Sequence, residues 1–210
     1  MKKGLVATIC GLIGVGKSTL VNNLNCINDY TIFMEPTSES EGASDNPFLE
    51  DYYKDPHRWA LAMQVNLLWE RFKQQQEAYY RSLHGEICLL DSSIYSDMAF
   101  ALVQKRDGYF TDKEYKCYQN MADNVTAICP RPDVLIYLDI TPEQVMERIK
   151  KRSRECESSI PMEYLQHLHE AYKEVLESLS SKCRVEHVDA TQGKVDVMMD
   201  VDRIIKILSK

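Results

Sequence analysis

The chain has 210 residues, a formal net charge of −7, and 44% hydrophobic and 27% charged residues. That balance suits one globular domain with a sizeable core, and no apolar run reaches the length needed to span a bilayer. The negative charge weighs against a nucleic-acid polymer or an anionic membrane surface as partner, but a small phosphorylated ligand needs only local positive charge.

The first apolar run, L-V-A-T-I-C at Leu5–Cys10, is bounded by glycine and reads as a buried strand. It leads into G-L-I-G-V-G-K-S, and a helix is expected from Lys17. Lys2 and Lys3 ahead of the run also fit the start of a secretory leader. Against that reading, Gly11, Gly14 and Gly16 interrupt the apolar stretch and Lys17 ends it. T-I-F-M at 31–34 is a second strand, closed by Glu35 and Pro36, and residues 39–46 form a polar loop. A long helix is predicted over 58–80, capped ahead by Asp55 and Pro56. I-C-L-L at 87–90 is a third strand ending at Asp91, and helices follow over 94–104 and 112–128. V-L-I-Y-L at 134–138 is the fourth strand, and Thr141 caps a helix that begins at Pro142. A basic run at 150–154, a helix over 162–178, a weaker strand at 184–188 and a last helix complete the chain.

Strands that are apolar throughout and alternate with helices imply an α/β fold: a five-stranded parallel sheet with helices on both faces. No linker or repeat divides it, so residues 1–210 are expected to form a single domain. The cysteines, Cys10, Cys26, Cys88, Cys117, Cys129, Cys156 and Cys183, are odd in number, scattered, and form no C-x-x-C pair. Free thiols in a reducing cytoplasm follow from that pattern.

A glycine-rich loop of the form G-x-x-x-x-G-K-[ST] carries chemistry where it joins a strand to a helix. Here Gly11, Leu12, Ile13, Gly14, Val15, Gly16, Lys17, Ser18 and Thr19 meet that condition. Their backbone N–H groups would wrap an anion, helped by the positive end of the following helix. Lys17 would reach the outer phosphates of a nucleotide, and the Ser18 hydroxyl would bind Mg²⁺. No N-K-x-D guanine-reading motif is present, and the chain is short for a motor, which leaves a small kinase.

Four further strings occur in order after the loop: M-E-P-T (34–37), N-P-F-L-E-D-Y-Y-K-D-P-H-R-W-A-L-A-M-Q (46–64), L-D-S-S-I-Y-S-D (90–97) and E-R-I-K-K-R-S-R-E-C-E-S-S-I-P-M-E-Y-L (147–165). In this arrangement the chain resembles the deoxyribonucleoside kinases of the deoxycytidine, deoxyguanosine and deoxyadenosine kinase group. The resemblance runs from Gly4 to about Tyr172. It implies a P-loop-type α/β fold with a short arginine-rich lid at about 150–158. It also implies transfer of phosphate from ATP with Mg²⁺ to the 5′-hydroxyl of a deoxynucleoside, a role in nucleotide salvage, and a homodimer.

The resemblance assigns Glu35 as the general base, a task that suits a carboxylate at a strand end beside the phosphate loop. It gives Leu49 and Gln64 to the nucleoside pocket, with Tyr53 and Glu157 holding the sugar 3′-hydroxyl. Gln64 and Arg71 are seven apart and share a helix face; taken alone, Arg71 beside Glu70 also fits a surface charge. The resemblance puts Asp97 in the base pocket with Arg71. A donor beside an acceptor there pairs with an exocyclic amino group and a ring nitrogen or carbonyl, and thymine would leave Asp97 unpaired. Deoxyadenosine, deoxyguanosine and deoxycytidine are therefore expected over thymidine. Arg148, Arg152 and Arg154 would stabilise the transferring phosphoryl group from the lid.

The chain departs from the family pattern after Asp91, the acid expected to help hold Mg²⁺. The family has arginine next, between the catalytic glutamate and the 5′-oxygen; here the residue is Ser92. A nearby arginine or a water could fill that gap at some cost in rate. Alternatively, the acceptor could be a nucleotide already carrying a 5′-phosphate, although that sets an anion beside Glu35. A third reading is a nucleotide-binding protein of weak activity.

Overall fold

The computed structural model describes residues 4–35, 47–152 and 160–210. In chain order these form β1 (Leu5–Cys10), α1 (Lys17–Ile27), β2 (Thr31–Phe33), α2 (Leu49–Lys54), α3 (Pro56–Leu83), β3 (Ile87–Asp91), α4 (Ile94–Arg106), α5 (Asp112–Ile128), β4 (Val134–Asp139), α6 (Pro142–Arg152), α7 (Met162–Leu179), β5 (Val185–Asp189) and α8 (Lys194–Leu208). The five strands make one parallel sheet in the order β2-β3-β1-β4-β5.

Every residue of β1 is buried, as its central place requires. Ile9 pairs with Asp91 on one side and with Ile136 on the other. From β1 the chain crosses to the edge strand β2, returns to β3 beside β1, and then adds β4 and β5 on the other side. Neighbours on the two sides of β1 are thus reached by crossovers in opposite directions, and the switch falls beside its carboxyl end. That crevice is where open α/β sheets bind ligands. Asp133 fixes the register of β4: its carboxylate accepts from the Val6 amide at 2.8 Å, and its own amide donates to the Val6 carbonyl at 2.8 Å.

β2 corrects the expectation of a strand buried on both faces, whereas β5 is the weaker strand the sequence leads one to expect. β2 is half-buried along its length and three residues long, and β5 mixes exposed and buried positions. Both are sheet edges.

Local chemistry explains the helix starts. Asp55 accepts from the Arg58 amide ahead of Pro56. Thr111 and Glu114 form a reciprocal capping box on α5, and Thr141 and Gln144 do the same on α6, each bond 3.3 Å long. α3 begins two residues before the predicted start and ends three after the predicted end. α2 was not expected, being too short to show helical periodicity. Next to it, Phe48 stacks on Trp59 of α3 with centroids 5.7 Å apart.

Candidate active site

The loop between β1 and α1 is shaped by its glycines. Gly14 has φ +80, and a Cβ there would stand 2.6 Å from the Ile149 side chain. Gly16 has φ +109, and a Cβ would meet nothing within 4 Å. The loop therefore rests on α6 at Gly14 and opens to free space at Gly16. Gly16 also caps α1 without any side-chain bond, so no side chain competes for the amides at the helix start.

Lys17 is buried, and its ammonium donates to the carbonyls of Gly11 (3.1 Å) and Leu12 (3.2 Å). The Ser18 hydroxyl donates to Asp91 Oδ2 at 2.5 Å. Asp91 Oδ1 is buried and unpartnered. Burial, and then the charge of Glu35, push the Asp91 carboxyl up to about 6, while Lys17, Ser18 and Arg71 pull the other way. An orphaned carboxylate oxygen beside a serine hydroxyl suits a hard cation with oxygen ligands, and Mg²⁺ on a phosphate chain needs only one or two protein ligands. The pair fits that ion. Among the described residues, no larger cluster of His, Cys, Asp or Glu offers a rival metal site.

The second half of the site lies under α3. Gln64, Leu67, Leu68 and Arg71 are all buried, so Arg71 is no surface charge; Glu70 pairs with Lys73 instead. Arg71 Nη2 donates to Glu35 Oε1 at 2.7 Å, and Nη1 donates to Asp97. Burial works against the Arg71 guanidinium, but Asp97 and Glu35 more than offset it and hold it above its ordinary range. Asp97 is buried too, and that burial raises its carboxyl despite Arg71, Tyr118 and Gln64, which favour the charged form.

Two residues of this network were not anticipated. The Tyr118 hydroxyl donates to Asp97 Oδ2 at 2.5 Å, and Gln104 Nε2 donates to Gln64 Oε1 at 2.6 Å, while Gln64 Nε2 donates to the Asp97 carbonyl at 3.2 Å. Tyr118 and Gln104 sit on α5 and α4, remote in sequence from their partners, and no spacing rule joins them.

Ser92 links β3 to α4 with φ +74, the one non-glycine residue with positive φ among those described. It is buried, its hydroxyl has no partner, and its amide donates to the Ile9 carbonyl at 2.9 Å. Ser93 follows as the cap of α4.

Arg148 stands on the other side of the loop. Its guanidinium donates to the carbonyls of Val15 (2.9 Å) and Ala190 (2.6 Å) at the edge of a cavity of about 500 Å³, which Gly16, Thr19, Lys151 and Lys194 also line. Arg154 and Glu157 lie outside the described residues, as do the side chains of Leu49, Tyr53 and Arg152. Among the described cysteines, Cys10, Cys26, Cys88, Cys117, Cys129 and Cys183 are free. No described helix is long and apolar enough to cross a membrane.

The family model described as "Deoxynucleoside kinase" matches residues 7–208. A deoxyadenosine kinase of Dictyostelium discoideum is 38% identical over 85% of this chain and 71% of its own length. A deoxyadenosine/deoxycytidine kinase of Bacillus subtilis is 30% identical over 98% of this chain and 94% of its own. Among solved structures, a deoxyadenosine kinase from M. mycoides with bound dATP superposes with a TM-score of 0.80 at 27% identity, covering 96% of this chain and 100% of that one.

Proposed function

From the premise that this chain belongs to the deoxynucleoside kinase family, and so to a family of phosphate-transferring enzymes, we propose that it moves the γ-phosphoryl group of ATP to the 5′-hydroxyl of deoxyadenosine, deoxyguanosine or deoxycytidine, in preference to thymidine. The observation that carries this reading is the buried Arg71, which joins Glu35 at 2.7 Å to Asp97. A strand-end carboxylate and a base-reading acid share one guanidinium, as a site that must orient both ends of a nucleoside requires.

In this reading the triphosphate lies on the loop of residues 11–19, held by its amides and by Lys17, with the nucleotide base in the cavity beyond Val15 and Gly16. Ser18 and Asp91 would hold Mg²⁺, which screens the charge on the phosphate oxygens. The nucleoside lies along α3, with Gln64 and the Arg71–Asp97 pair reading its base and Leu49, Tyr53 and Glu157 enclosing the base and sugar. Glu35 accepts the 5′-hydroxyl proton as that oxygen bonds to the γ-phosphorus. The bond from phosphorus to the β–γ bridging oxygen breaks, and ADP leaves. Arg152 and Arg154 would stabilise the charge on the transferring oxygens. A nucleotide acceptor would bring a further anion toward Glu35 and Asp91, and that repulsion favours the nucleoside.

The chain acts as one domain, and as a homodimer in the cytoplasm. Purified protein with Mg-ATP, offered each deoxynucleoside and each deoxynucleoside monophosphate in turn, should release ADP with the three amino-bearing nucleosides. Turnover on monophosphates alone, or equal efficiency on thymidine, would overturn the reading.

A further inference from the structure

A carboxylate that takes a proton from an alcohol has to be held in one orientation, and here the holder is visible. Arg71 Nη2 meets Glu35 through Oε1, and the same guanidinium reaches Asp97 through Nη1. Two further cations at the loop are turned elsewhere: Lys17 to the carbonyls of Gly11 and Leu12, and Arg148 to those of Val15 and Ala190. The segment that carries the chain from β3 to α4 brings no charge to Glu35, because Ser92 is short, neutral and buried.

We propose that Arg71 is the positioning residue for the general base, filling the place that a cation at position 92 would take, and that it ties proton abstraction to occupancy of the base pocket. The inference rests on the kinase reading above, with Glu35 as base. One planar guanidinium spans two carboxylates, which a lysine ammonium does not reproduce. A base that pairs with Asp97 therefore meets an arginine whose other arm fixes Glu35. Oε2 is then the oxygen offered to the 5′-hydroxyl.

The test is a split between kcat and KM, with a rescue. For wild type, Arg71→Gln, and Arg71→Gln combined with Ser92→Arg, both constants are measured with saturating Mg-ATP and deoxyadenosine, deoxyguanosine or deoxycytidine, whichever wild type prefers. Arginine at position 92 adds no new type of backbone strain, since Ser92 already has φ +74. Removing Arg71 leaves Asp97 buried without its cation, so the series is repeated in an Asp97→Asn background, where that charge is gone.

The expected result is a fall in kcat of about 100-fold in Arg71→Gln, a loss of the size general-base catalysis supplies. Ser92→Arg should then restore kcat about tenfold or more in both backgrounds, with KM staying high. A rise in KM with kcat within threefold of its parent would overturn the proposal. So would a fall in kcat that Ser92→Arg leaves unrepaired. Wild-type protein that transfers phosphate to no deoxynucleoside would instead sink the kinase reading, and this inference with it.

Discussion

Ser18 donates its hydroxyl proton to Asp91 Oδ2 at 2.5 Å and leaves Oδ1 of the same carboxylate buried and unpartnered. A hydroxyl on the first turn of α1 is thus joined to the end of β3, next to the opening above Gly16. If the pair holds Mg²⁺, Ser18→Ala and Asp91→Asn should each raise the Mg²⁺ concentration needed for half-maximal turnover by about tenfold or more. Chelation should abolish ADP release from wild type. A Mg²⁺ titration unchanged from wild type in both variants would exclude these ligands.

Asp91 also gives stability a pH slope in metal-free, nucleotide-free protein. Its folded value, pushed up to about 6, lies above the ordinary carboxylate value near 4. The stability linked to the raised value is therefore fully present below about pH 4 and is lost as pH rises through about 6. The size is at most about 3 kcal/mol. Asp91→Asn should remove this part of the slope and melt higher than wild type at pH 8, while losing catalysis. Thermal melts at pH 4.5, 6 and 8 in EDTA check the sign.

Tyr118→Phe removes one of the donors that favour the charged form of Asp97 against its burial. We expect a stability loss of about 1–3 kcal/mol, the cost of a buried acceptor left unsatisfied. We also expect a KM for the nucleoside at least threefold higher. Chemical denaturation and steady-state kinetics measure the two effects separately, and unchanged values for both would sever Tyr118 from the base pocket.

Gly14→Ala and Gly16→Ala should fail in different ways. Both place a side chain at positive φ, but only the Cβ at position 14 collides with Ile149. Gly14→Ala should lose about 1–3 kcal/mol more stability than Gly16→Ala. Gly16→Ala should instead weaken ATP binding about tenfold or more, because its methyl enters the space above the loop. Calorimetric melts and nucleotide titrations of the two proteins decide it.

The proposed homodimer has a candidate face. Trp69, Tyr80 and Leu83 fall on one stripe of α3, Met121 and Ile128 on one stripe of α5, and all five are exposed although the two helices pack together. Sedimentation should give twice the mass of the chain, and Trp69→Glu with Tyr80→Glu should shift it to one copy. Wild type sedimenting as a monomer would remove the dimer.

The parts of this molecule that sequence revealed are those with short-range signatures. β1 and β4 are unbroken apolar runs, and the loop glycines carry fixed spacing. Thr141 caps its helix where a Thr-Pro start requires. The site strings were legible only through resemblance, and they led to Glu35, Arg71, Asp91 and Asp97, which the fold does bring together. What stayed hidden depends on tertiary context. The edge position of β2 is set by strand order, which no run of T-I-F-M encodes. The Gln104–Gln64 bond crosses 40 residues and the Tyr118–Asp97 bond crosses 21, so neither partner marks the other. Even the fate of Arg71 turned on burial, since Glu70 beside it offered an equally plain surface pairing.

Arg148 fastens the glycine loop to the carbonyl of Ala190, just after the last strand. A loop braced in this way has less freedom to lose, so capture of the proposed donor would spend less ordering entropy on it. The strut would then ease ATP uptake through the stiffness it lends the loop.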